Sequence, residues 1–467
     1  MKVINLQIER WLKKINLMES KLNKIPNLIC SGSLVGLNGI VFEVSGLILP
    51  IGAICIIETH LSSKYQCYKK CEVIGFKDNI IFIIPLDGIV DGVSYGDRVF
   101  SNINLSCLDS NFEFNNVPLG NDLLGRVLDS QGVPLDKLES IKPEFYGPLF
   151  TPLINPLDRQ PIKKILDLGI RSINSLLTIG VGQRIGLFSS SGLGKSVLLG
   201  MIAKYSSADV IVLGLIGERG REVKEFIDNI LGKEGLSRSV IVAVPADVSA
   251  LSRIKGTIYA TRIAEYFREQ KKHVLLIIDS LTRYAMSLRE VSLSLGELPV
   301  TKGYPSSVFS KLPMLIERAG NSNNHSGSIS AIYTILTEQD TENDPISDIA
   351  KSVLDGHIVL SKNLAESGRY PAIDVSVSIS RLMTNLISDS QYNQVIFLKQ
   401  LISIYNKNED LINIGAYVAG SNKLLDKAIL FKPKLDAFLQ QDMHQRINYG
   451  DSCLELEKLF NEVHLSN

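Results

Sequence analysis

Residues 189–196 read Ser-Ser-Ser-Gly-Leu-Gly-Lys-Ser, and this stretch decides the fold. It follows the apolar run 184–188, which is typical of a buried strand, and it precedes the helical stretch 197–205. A glycine-rich loop between a strand and a helix is the setting in which backbone N–H groups face phosphate oxygens. Gly192 and Gly194 permit the chain to wrap around such a group. The stretch therefore predicts a phosphate-binding loop in an α/β domain.

Two side chains of this loop suit a nucleotide phosphate and its metal ion. The Lys195 ammonium would reach the β and γ phosphates, and the Ser196 hydroxyl would bind magnesium. The rest of the predicted nucleotide contacts come from Ser190, Ser191, Gly192, Leu193, Gly194 and Val197. The loop begins with Ser189, where Gly or Ala is usual. The alternative is a Gly/Ser-rich turn that contains Gly-Lys-Ser by chance, and the strand-to-helix context argues against it.

A second apolar run, 274–278, ends in Asp279. The carboxyl ends of parallel strands lie at one edge of a sheet, so this carboxylate would lie beside the phosphate loop. Asp279 would then orient a magnesium-bound water. An aspartate that follows a strand is often a helix cap instead. Its place downstream of Lys195 favours the magnesium role.

A third apolar run, 210–216, leads directly into Gly-Glu-Arg-Gly-Arg-Glu at 217–222. A carboxylate at a strand end can accept a proton from an attacking water, which is the role predicted for Glu218. The adjacent Arg219 can offset negative charge that builds on the γ-phosphate. Without a phosphate loop the same segment would be interpreted as a solvated cluster of charges.

The order of strand-like and helical segments predicts the fold class. Beyond residue 166 the strand-like runs are 184–188, 210–216, 240–244, 274–278, 329–336 and 357–360, with helical stretches between them. This alternation predicts an α/β domain with a largely parallel sheet covered by helices. After residue 385 the segments 389–406 and 421–440 predict a small C-terminal helical domain.

The first hundred residues have a different texture. Short β-rich runs at 40–44, 51–57 and 79–85 predict a small barrel or sandwich, and residues 4–22 predict an amphipathic helix. The predicted organisation has five segments. They are an N-terminal helix at 1–24, a β-barrel domain at 25–100, a connecting segment at 101–165, a P-loop ATPase domain at 166–384 and a C-terminal helical domain at 385–467.

Composition excludes several classes of protein. Lysine and arginine number 49 and aspartate and glutamate also number 49, so no global field would hold nucleic acid. The chain contains six cysteines, and Cys67 and Cys71 have no paired histidine, so no structural metal is expected. The sequence also shows no secretory signal and no apolar run long enough to span a bilayer. These features predict a cytoplasmic protein that binds no nucleic acid.

Several long motifs, taken in order, resemble one family. They include SSSGLGKSVLLGMIAKY (189–205), ADVIVLGLIGERGREVKEFIDNILG (208–232), LLIIDSLTRYAMSLREVSLSLGE (275–297) and HIVLSKNLAESGRYPAID (357–374). The chain resembles the ATPases of flagellar type III protein export, which are relatives of the catalytic subunit of rotary ATP synthases. The resemblance extends over roughly residues 25–440 and includes LGRVLDSQGVPLD at 124–136. It implies a β-barrel, a central RecA-like nucleotide-binding domain and a C-terminal helical domain.

The resemblance also implies site residues and cofactors, namely ATP and Mg²⁺. It assigns Lys195 and Ser196 to phosphate and magnesium, Glu218 to water activation, Arg219 to the γ-phosphate and Asp279 to the magnesium side. Tyr370 would pack on the adenine, and Arg381 would be a finger donated to the site of a neighbouring subunit. By residue type alone, Tyr370 is a core aromatic and Arg381 a surface charge.

The partners implied by the resemblance are those of an export machine. They are further copies of the chain in a homohexamer, a central coiled-coil stalk protein, export chaperones with their substrates, and a membrane export gate. The N-terminal helix would bind a stalk-like negative regulator, with anionic lipid as a second candidate. The protein would be peripheral at the inner-membrane export apparatus and would unload chaperone-bound substrates.

The sequence also allows four alternative interpretations of the protein's function. One is a non-catalytic ring subunit that binds nucleotide, against which Glu218 argues because such subunits lack that glutamate. A second is the rotary synthase catalytic subunit itself, and residues 385–467 contain no acidic lever motif. A third, a hexameric RNA translocase, conflicts with the neutral charge. The fourth is a virulence-type III secretion ATPase, which shares this core.

Overall fold

The computed structural model describes residues 11, 14, 15, 18, 31–62, 65–101, 116–323, 327–337 and 344–465. The chain divides into two compact units, with the boundary between Asn116 and Val117. The smaller unit contains the β-barrel. The larger unit contains the α/β sheet and the C-terminal helices. The predicted fold class is confirmed: a small barrel, a central α/β domain and a helical C-terminal region.

The smaller unit is a closed antiparallel barrel in the order β1-β2-β5-β4-β3-β6. Its core is mostly aliphatic and includes Val44, Ile57, Val73 and Ile83, which have no exposed surface. Alternating residues supply this core because successive side chains of a strand point to opposite faces. The strands are β1 Ser31–Asn38, β2 Val41–Ser45, β3 Ile54–Ser62, β4 Tyr65–Lys77, β5 Ile80–Pro85 and β6 Arg98–Phe100.

The larger unit is built on a sheet in the order β21-β20-β12-β19-β15-β13-β14-β8, with β18 beside β19. The strands β20, β12, β19, β15, β13, β14 and β8 are parallel. Every residue of β13 and β14 is buried, which explains why both appear in the sequence as unbroken apolar runs. The strands are β8 Val127–Leu128, β12 Arg184–Ser189, β13 Val210–Ile216, β14 Ser239–Val244, β15 His273–Asp279, β18 Gly320–Asn321, β19 Ser328–Leu336, β20 Gly356–Val359 and β21 Ile379–Ser380.

Short strands outside this sheet complete the larger unit. They are β7 Asn116–Leu119 paired with β9 Phe145–Pro148, β10 Ile165–Leu166 paired with β11 Ile179–Gly180, and β16 Pro299–Thr301 paired with β17 Tyr304–Pro305.

Side-chain caps fix where several long helices begin. The hydroxyls of Ser249, Ser280 and Ser388 each accept a bond from a backbone N–H in the first turn. The described α-helices are Arg171–Leu176, Lys195–Tyr205, Gly220–Glu225, Gly232–Ser237, Ala250–Glu269, Leu281–Ser294, Ser306–Ile316, Pro345–Val353, Lys362–Glu366, Asp389–Asn413, Lys423–Leu439 and Tyr449–Leu465. A π-helical segment, Phe226–Leu231, lies between two of them.

Residues 117–165 pack within the larger unit. Strand β8 pairs with β14, and the Tyr259 hydroxyl donates to the carbonyl of Pro118 at 2.9 Å. The proline-rich residues 151–165 are held in place by Arg159, which donates to the carbonyl of Ala319 at 2.8 Å. Sequence patterns predicted a connecting segment over 101–165. The division of the chain into five segments remains a proposal, with 117–165 contributing to the body of the larger unit.

The C-terminal helices are tied to the α/β domain by a partly buried arginine. Arg171 donates to the backbone carbonyls of Phe438, Ala437 and Gln440, and it pairs with Glu455. The helices at 389–406 and 421–440 were predicted. A third helix, Tyr449–Leu465, was not predicted, and its Leu456 and Val463 are fully buried in the same core.

Most of the predicted N-terminal helix, residues 1–24, lies outside the described residues. Trp11, Lys14, Ile15 and Met18 are helical, and Trp11 is 66% exposed. In the part of the chain that the structure describes, no helix is both long enough and apolar enough to cross a membrane.

A buried ion pair in the larger unit gives a stability prediction. Arg318 donates two bonds to Glu265, at 2.8 and 2.7 Å, and both side chains are nearly inaccessible. Thr151 also donates to this carboxylate at 2.7 Å. Arg318→Met would remove two hydrogen bonds and the closer cation from the buried carboxylate, leaving Arg262 at 3.9 Å, so we expect a loss of roughly 3–5 kcal/mol in the free energy of unfolding. Urea unfolding followed by circular dichroism measures it.

The same variant has a predicted pH dependence. Burial acts to raise the pKa of Glu265, but the bonds and charge of Arg318 outweigh it and lower that pKa. The stabilisation is therefore present above the ordinary carboxyl pKa and is lost as the pH falls through the lowered one. The difference between parent and variant should shrink in acid. Lys434→Met, which breaks the exposed pair with Glu462, is the control and should cost less than about 1 kcal/mol. Equal losses in the two variants would contradict the prediction.

Candidate active site

The phosphate loop has the backbone that its sequence predicts. It leaves β12 at Ser189 and enters the helix Lys195–Tyr205. Gly192 and Gly194 have φ angles of 82° and 80°, which only glycine adopts easily. A Cβ atom at Gly194 would also lie 3.3 Å from the ring of Tyr370. Glycine is thus favoured at this position by its conformation, and any other side chain would also require the Tyr370 ring to shift slightly.

Part of the loop is open to solvent. Ser191, Gly192 and Ser196 are exposed, whereas Leu193 is 6% exposed and anchors the loop in the core. Val197 is partly exposed in the first helical turn. The free N–H groups of a helix N-terminus attract anions. The arrangement fits a phosphate chain with the Ser196 hydroxyl accessible beside it.

Three charged side chains predicted from separate motifs meet above this loop. Lys195 Nζ lies 2.6 Å from Asp279 Oδ1 and 3.2 Å from Glu218 Oε1. Lys195 follows β12, Asp279 is the last residue of β15, and Glu218 follows β13. The carboxyl ends of these parallel strands lie on the same side of the sheet. The lysine and Asp279 are 84 positions apart in sequence.

The backbone holds Glu218 in place. Gly217, with φ 72°, turns the chain at the end of β13, and its N–H donates to the Val244 carbonyl at 2.7 Å. The carbonyl of Glu218 accepts from the N–H of Ala246 at 3.0 Å. The carboxylate therefore stands on a fixed turn beside Lys195, where a water attacking the γ-phosphate could give up its proton.

The electrostatics of the cluster follow from its burial. Burial acts to lower the pKa of Lys195, but the charges of Asp279 and Glu218 outweigh it, so the net shift is upward. Burial raises the pKa of Asp279, with Lys195 opposing that shift. Lys195 is thus held as a cation by two carboxylates. A bound triphosphate would offer it negative oxygens in their place.

Sequence patterns missed one member of this cluster. The hydroxyl of Thr334, on β19, donates to Asp279 Oδ1 at 2.7 Å and is fully buried. The available signal was a hydroxyl inside the apolar run 329–336, because a buried polar side chain needs a partner. Thr334 fixes the orientation of the carboxylate that Lys195 also contacts.

Arg219 does not join the cluster. Its side chain is 84% exposed and its nearest acidic partner is Glu222, at 3.6 Å. Tyr370 does reach the loop: its ring packs against Gly194 and is 44% exposed, and its carbonyl accepts from the N–H of Gln441. The ring thus lies beside the phosphate loop and is partly open to solvent.

Arg381 lies near the amino ends of the parallel strands, whereas this chain's own phosphate loop lies at their carboxyl ends. Its N–H donates to Asp355, whose N–H donates to Arg184 at the start of β12. The loop begins five residues later (189 minus 184), or about 16 Å along the strand. The Arg381 guanidinium is exposed and donates to the Lys351 carbonyl at 2.8 Å. Arg381 therefore cannot reach its own phosphate loop.

The residues present fit a magnesium ion carried with a nucleotide. No group of three or more His, Cys, Asp or Glu side chains suited to a metal occurs among the described residues. Mg²⁺ bound to phosphates needs only one or two protein ligands, because phosphate oxygens and water fill its other positions. The accessible Ser196 hydroxyl could supply one such ligand directly, and the nearby Asp279 carboxylate could hold the ion through water.

The chain is similar to known proteins over nearly its whole length. Residues 169–380 match the ATP synthase alpha/beta family, nucleotide-binding domain, and residues 387–458 match the T3SS EscN ATPase C-terminal domain. The chain is 55% identical to the flagellum-specific ATP synthase of Buchnera aphidicola subsp. Acyrthosiphon pisum over 98% of this chain and 97% of the relative. It is 53% identical to that of Salmonella typhimurium over 98% and 99%.

Solved structures show the same architecture. The assembled ATPase EscN of the enteropathogenic E. coli type III secretion system is similar with a TM-score of 0.83 and 41% identity. The match covers 92% of this chain and 100% of that one. EscN in complex with its central stalk EscO is similar with a TM-score of 0.80 and 40% identity. From the phosphate loop, the converging carboxylates and these similarities, we conclude that this chain is an ATPase that belongs to the flagellum-specific ATP synthase family of type III export ATPases.

Proposed function

We propose that the protein hydrolyses ATP with magnesium as a homohexameric ring and thereby drives flagellar protein export. One observation carries the catalytic part: Lys195, Glu218 and Asp279 meet above an accessible phosphate loop, whereas Arg381 lies at the far edge of the sheet. A site that is incomplete within one chain requires a neighbouring copy. The export part is supported by the flagellum-specific relatives.

In the proposed mechanism each residue has one task. Lys195 exchanges its carboxylate partners for the β and γ phosphates, and the loop amides hold the same oxygens. Glu218 accepts a proton from the attacking water. Ser196, directly, and Asp279, through water, would hold magnesium, which when bound would neutralise phosphate charge. Tyr370 packs on the adenine. Arg219 swings from Glu222 toward the γ-phosphate, a rotation that its exposure permits.

Arg381 completes the site of the next subunit. Its guanidinium would stabilise charge on the transferring phosphoryl group, the part played by an arginine finger. The assembled state of EscN supports a ring, since this chain covers all of that structure's length at 41% identity.

Mixed rings test this assignment. Chains with Arg381→Ala keep an intact phosphate loop, and chains with Lys195→Ala keep an intact finger. Each alone should lose at least about 1,000-fold in kcat, and mixing them should restore part of the parent activity. The restoration arises because an intact loop can meet an intact finger across a subunit boundary. ATP hydrolysis at several mixing ratios measures it.

The control is a mixture of Lys195→Ala with Lys195→Ala carrying a different affinity tag, which should show no recovery. Pull-down through one tag verifies that rings are mixed. If verified mixed rings of the two variants show no recovery, Arg381 is not a finger in trans.

The proposed cellular role follows the relatives. The protein would work in the cytoplasm, peripheral to the inner-membrane export gate, and would unload substrates from export chaperones. A central coiled-coil stalk is supported by the complex of EscN with EscO. The N-terminal helix, residues 1–24, would bind a stalk-like negative regulator. Anionic lipid is the second candidate for that helix, because Lys14 accompanies the exposed Trp11.

A further inference from the structure

The segment that leads to Arg381 is held by a dense set of hydrogen bonds. Ser378 is fully buried, its hydroxyl donates to the Asp374 carbonyl at 2.5 Å, and it accepts from the Val359 N–H at 3.0 Å. The next two residues form β21 and pair with Gly356 and His357. We call residues 374–380 the arginine loop. Every one of these bonds comes from the α/β domain.

One further bond comes from the C-terminal helical domain. Lys399, on the helix Asp389–Asn413, donates from Nζ to the carbonyl of Ser378 at 3.0 Å. That carbonyl is three residues before Arg381 (381 minus 378). Burial lowers the pKa of Lys399 to about 8, and the charge of Asp374 opposes this shift. A lysine ammonium is usually exposed, so a partly buried one aimed at a single carbonyl is a specific contact.

Other cations near Lys399 make the partial burial of its ammonium unfavourable. Burial lowers the pKa of His357, and the charges of Lys351, Arg381 and Lys399 act in the same direction, so three cations lie near the base of the arginine loop. His357 itself contacts the carbonyl of Val377 at 3.0 Å. Partial burial of a cation costs free energy unless the cation is paired or hydrogen-bonded. The contact that Lys399 makes is with the loop that carries Arg381.

We propose that Lys399 is a positioning residue: it links the C-terminal helical domain to the arginine loop and so sets where Arg381 meets the neighbouring site. This inference rests on the proposed finger role of Arg381. Without Lys399 the Ser378 carbonyl would be buried without that donor, and the loop would move to find another. A shift of about 1 Å at a catalytic group can cost up to 100-fold in rate.

Substitutions at this position give the test. Lys399→Met keeps the length and loses the donor, and we expect kcat of the assembled ring to fall roughly 10- to 100-fold with KM for ATP unchanged. Lys399→Arg keeps a cationic donor and should recover most of the activity. Lys407→Met, an exposed lysine of the same helix, is the matched control and should equal the parent. Lys399→Gln serves if the methionine variant does not fold.

A double variant separates positioning from general damage. If Lys399 acts through Arg381, then Lys399→Met with Arg381→Ala should be no slower than Arg381→Ala alone, within about twofold. Additive losses would overturn the inference, as would a parent-like kcat for Lys399→Met. A parent-like kcat for Arg381→Ala alone would instead remove the finger role, so the two failures are distinguishable. Binding of a fluorescent ATP analogue to each chain's own loop should be unchanged by Lys399→Met.

Discussion

Lys195→Ala is expected to abolish ATP hydrolysis, with a loss of several powers of ten in kcat. The Lys195 ammonium lies beside the phosphate loop. Its Nζ is 2.6 Å from Asp279 Oδ1 and 3.2 Å from Glu218 Oε1. With alanine the γ-phosphate charge would be uncompensated, which we expect to raise the barrier by on the order of 4 kcal/mol or more. Nucleotide affinity should also fall, because the ground-state phosphates lose the same cation.

The variant also tests how the charges within the cluster are balanced. Removing Lys195 leaves Asp279, which is 4% exposed, with Thr334 as its remaining partner. Its pKa, already raised by burial, should rise further, and the carboxyl should protonate more readily. We therefore expect the protein to fold without the lysine. Steady-state hydrolysis with the coupled phosphate assay measures the activity, and Lys224→Ala, an exposed lysine on the helix after Glu218, is the control. Near-parent turnover in a folded Lys195→Ala chain would contradict the assignment.

The central sheet could be predicted because its strands are buried on both faces. Such strands appear as unbroken apolar runs, and the runs 210–216 and 274–278 lie in β13 and β15. Strand β8 escaped prediction because it has only the two residues Val127 and Leu128, too few to show any period. Its place in the sheet comes from tertiary pairing with β14.

The candidate site could be predicted in part, for a topological reason. Lys195, Glu218 and Asp279 end up together because parallel strands deliver their carboxyl ends to one edge. The direction of Arg219 could not be predicted, since an exposed side chain is fixed by no packing. Lys399 was missed because its partner is a backbone carbonyl far away in the fold, and sequence pattern carries no sign of such a bond.

Glu218→Gln is expected to bind nucleotide and fail to hydrolyse it. The amide has the shape of the carboxylate but cannot accept the proton of the attacking water, so we expect kcat to fall about 100- to 10,000-fold. Lys195 keeps Asp279 as its partner, and the turn is held by backbone bonds of Gly217 and Ala246. The phosphate loop should therefore stay formed, and the affinity for a fluorescent ATP analogue should stay within about threefold of the parent.

The matched control is Glu222→Gln, four residues further on, whose carboxylate is exposed and paired with Arg219. Single-turnover hydrolysis on assembled rings separates the chemical step from product release. If Glu218→Gln hydrolyses as fast as the parent while Lys195→Ala is inactive, the cluster binds the phosphates but another group activates water. If Glu222→Gln loses as much as Glu218→Gln, the effect comes from removing charge near the γ-phosphate rather than from a base. If Glu218, whose Oε1 lies 3.2 Å from Lys195 Nζ, is the proton acceptor, then Glu218→Gln alone should lose kcat while it still binds nucleotide.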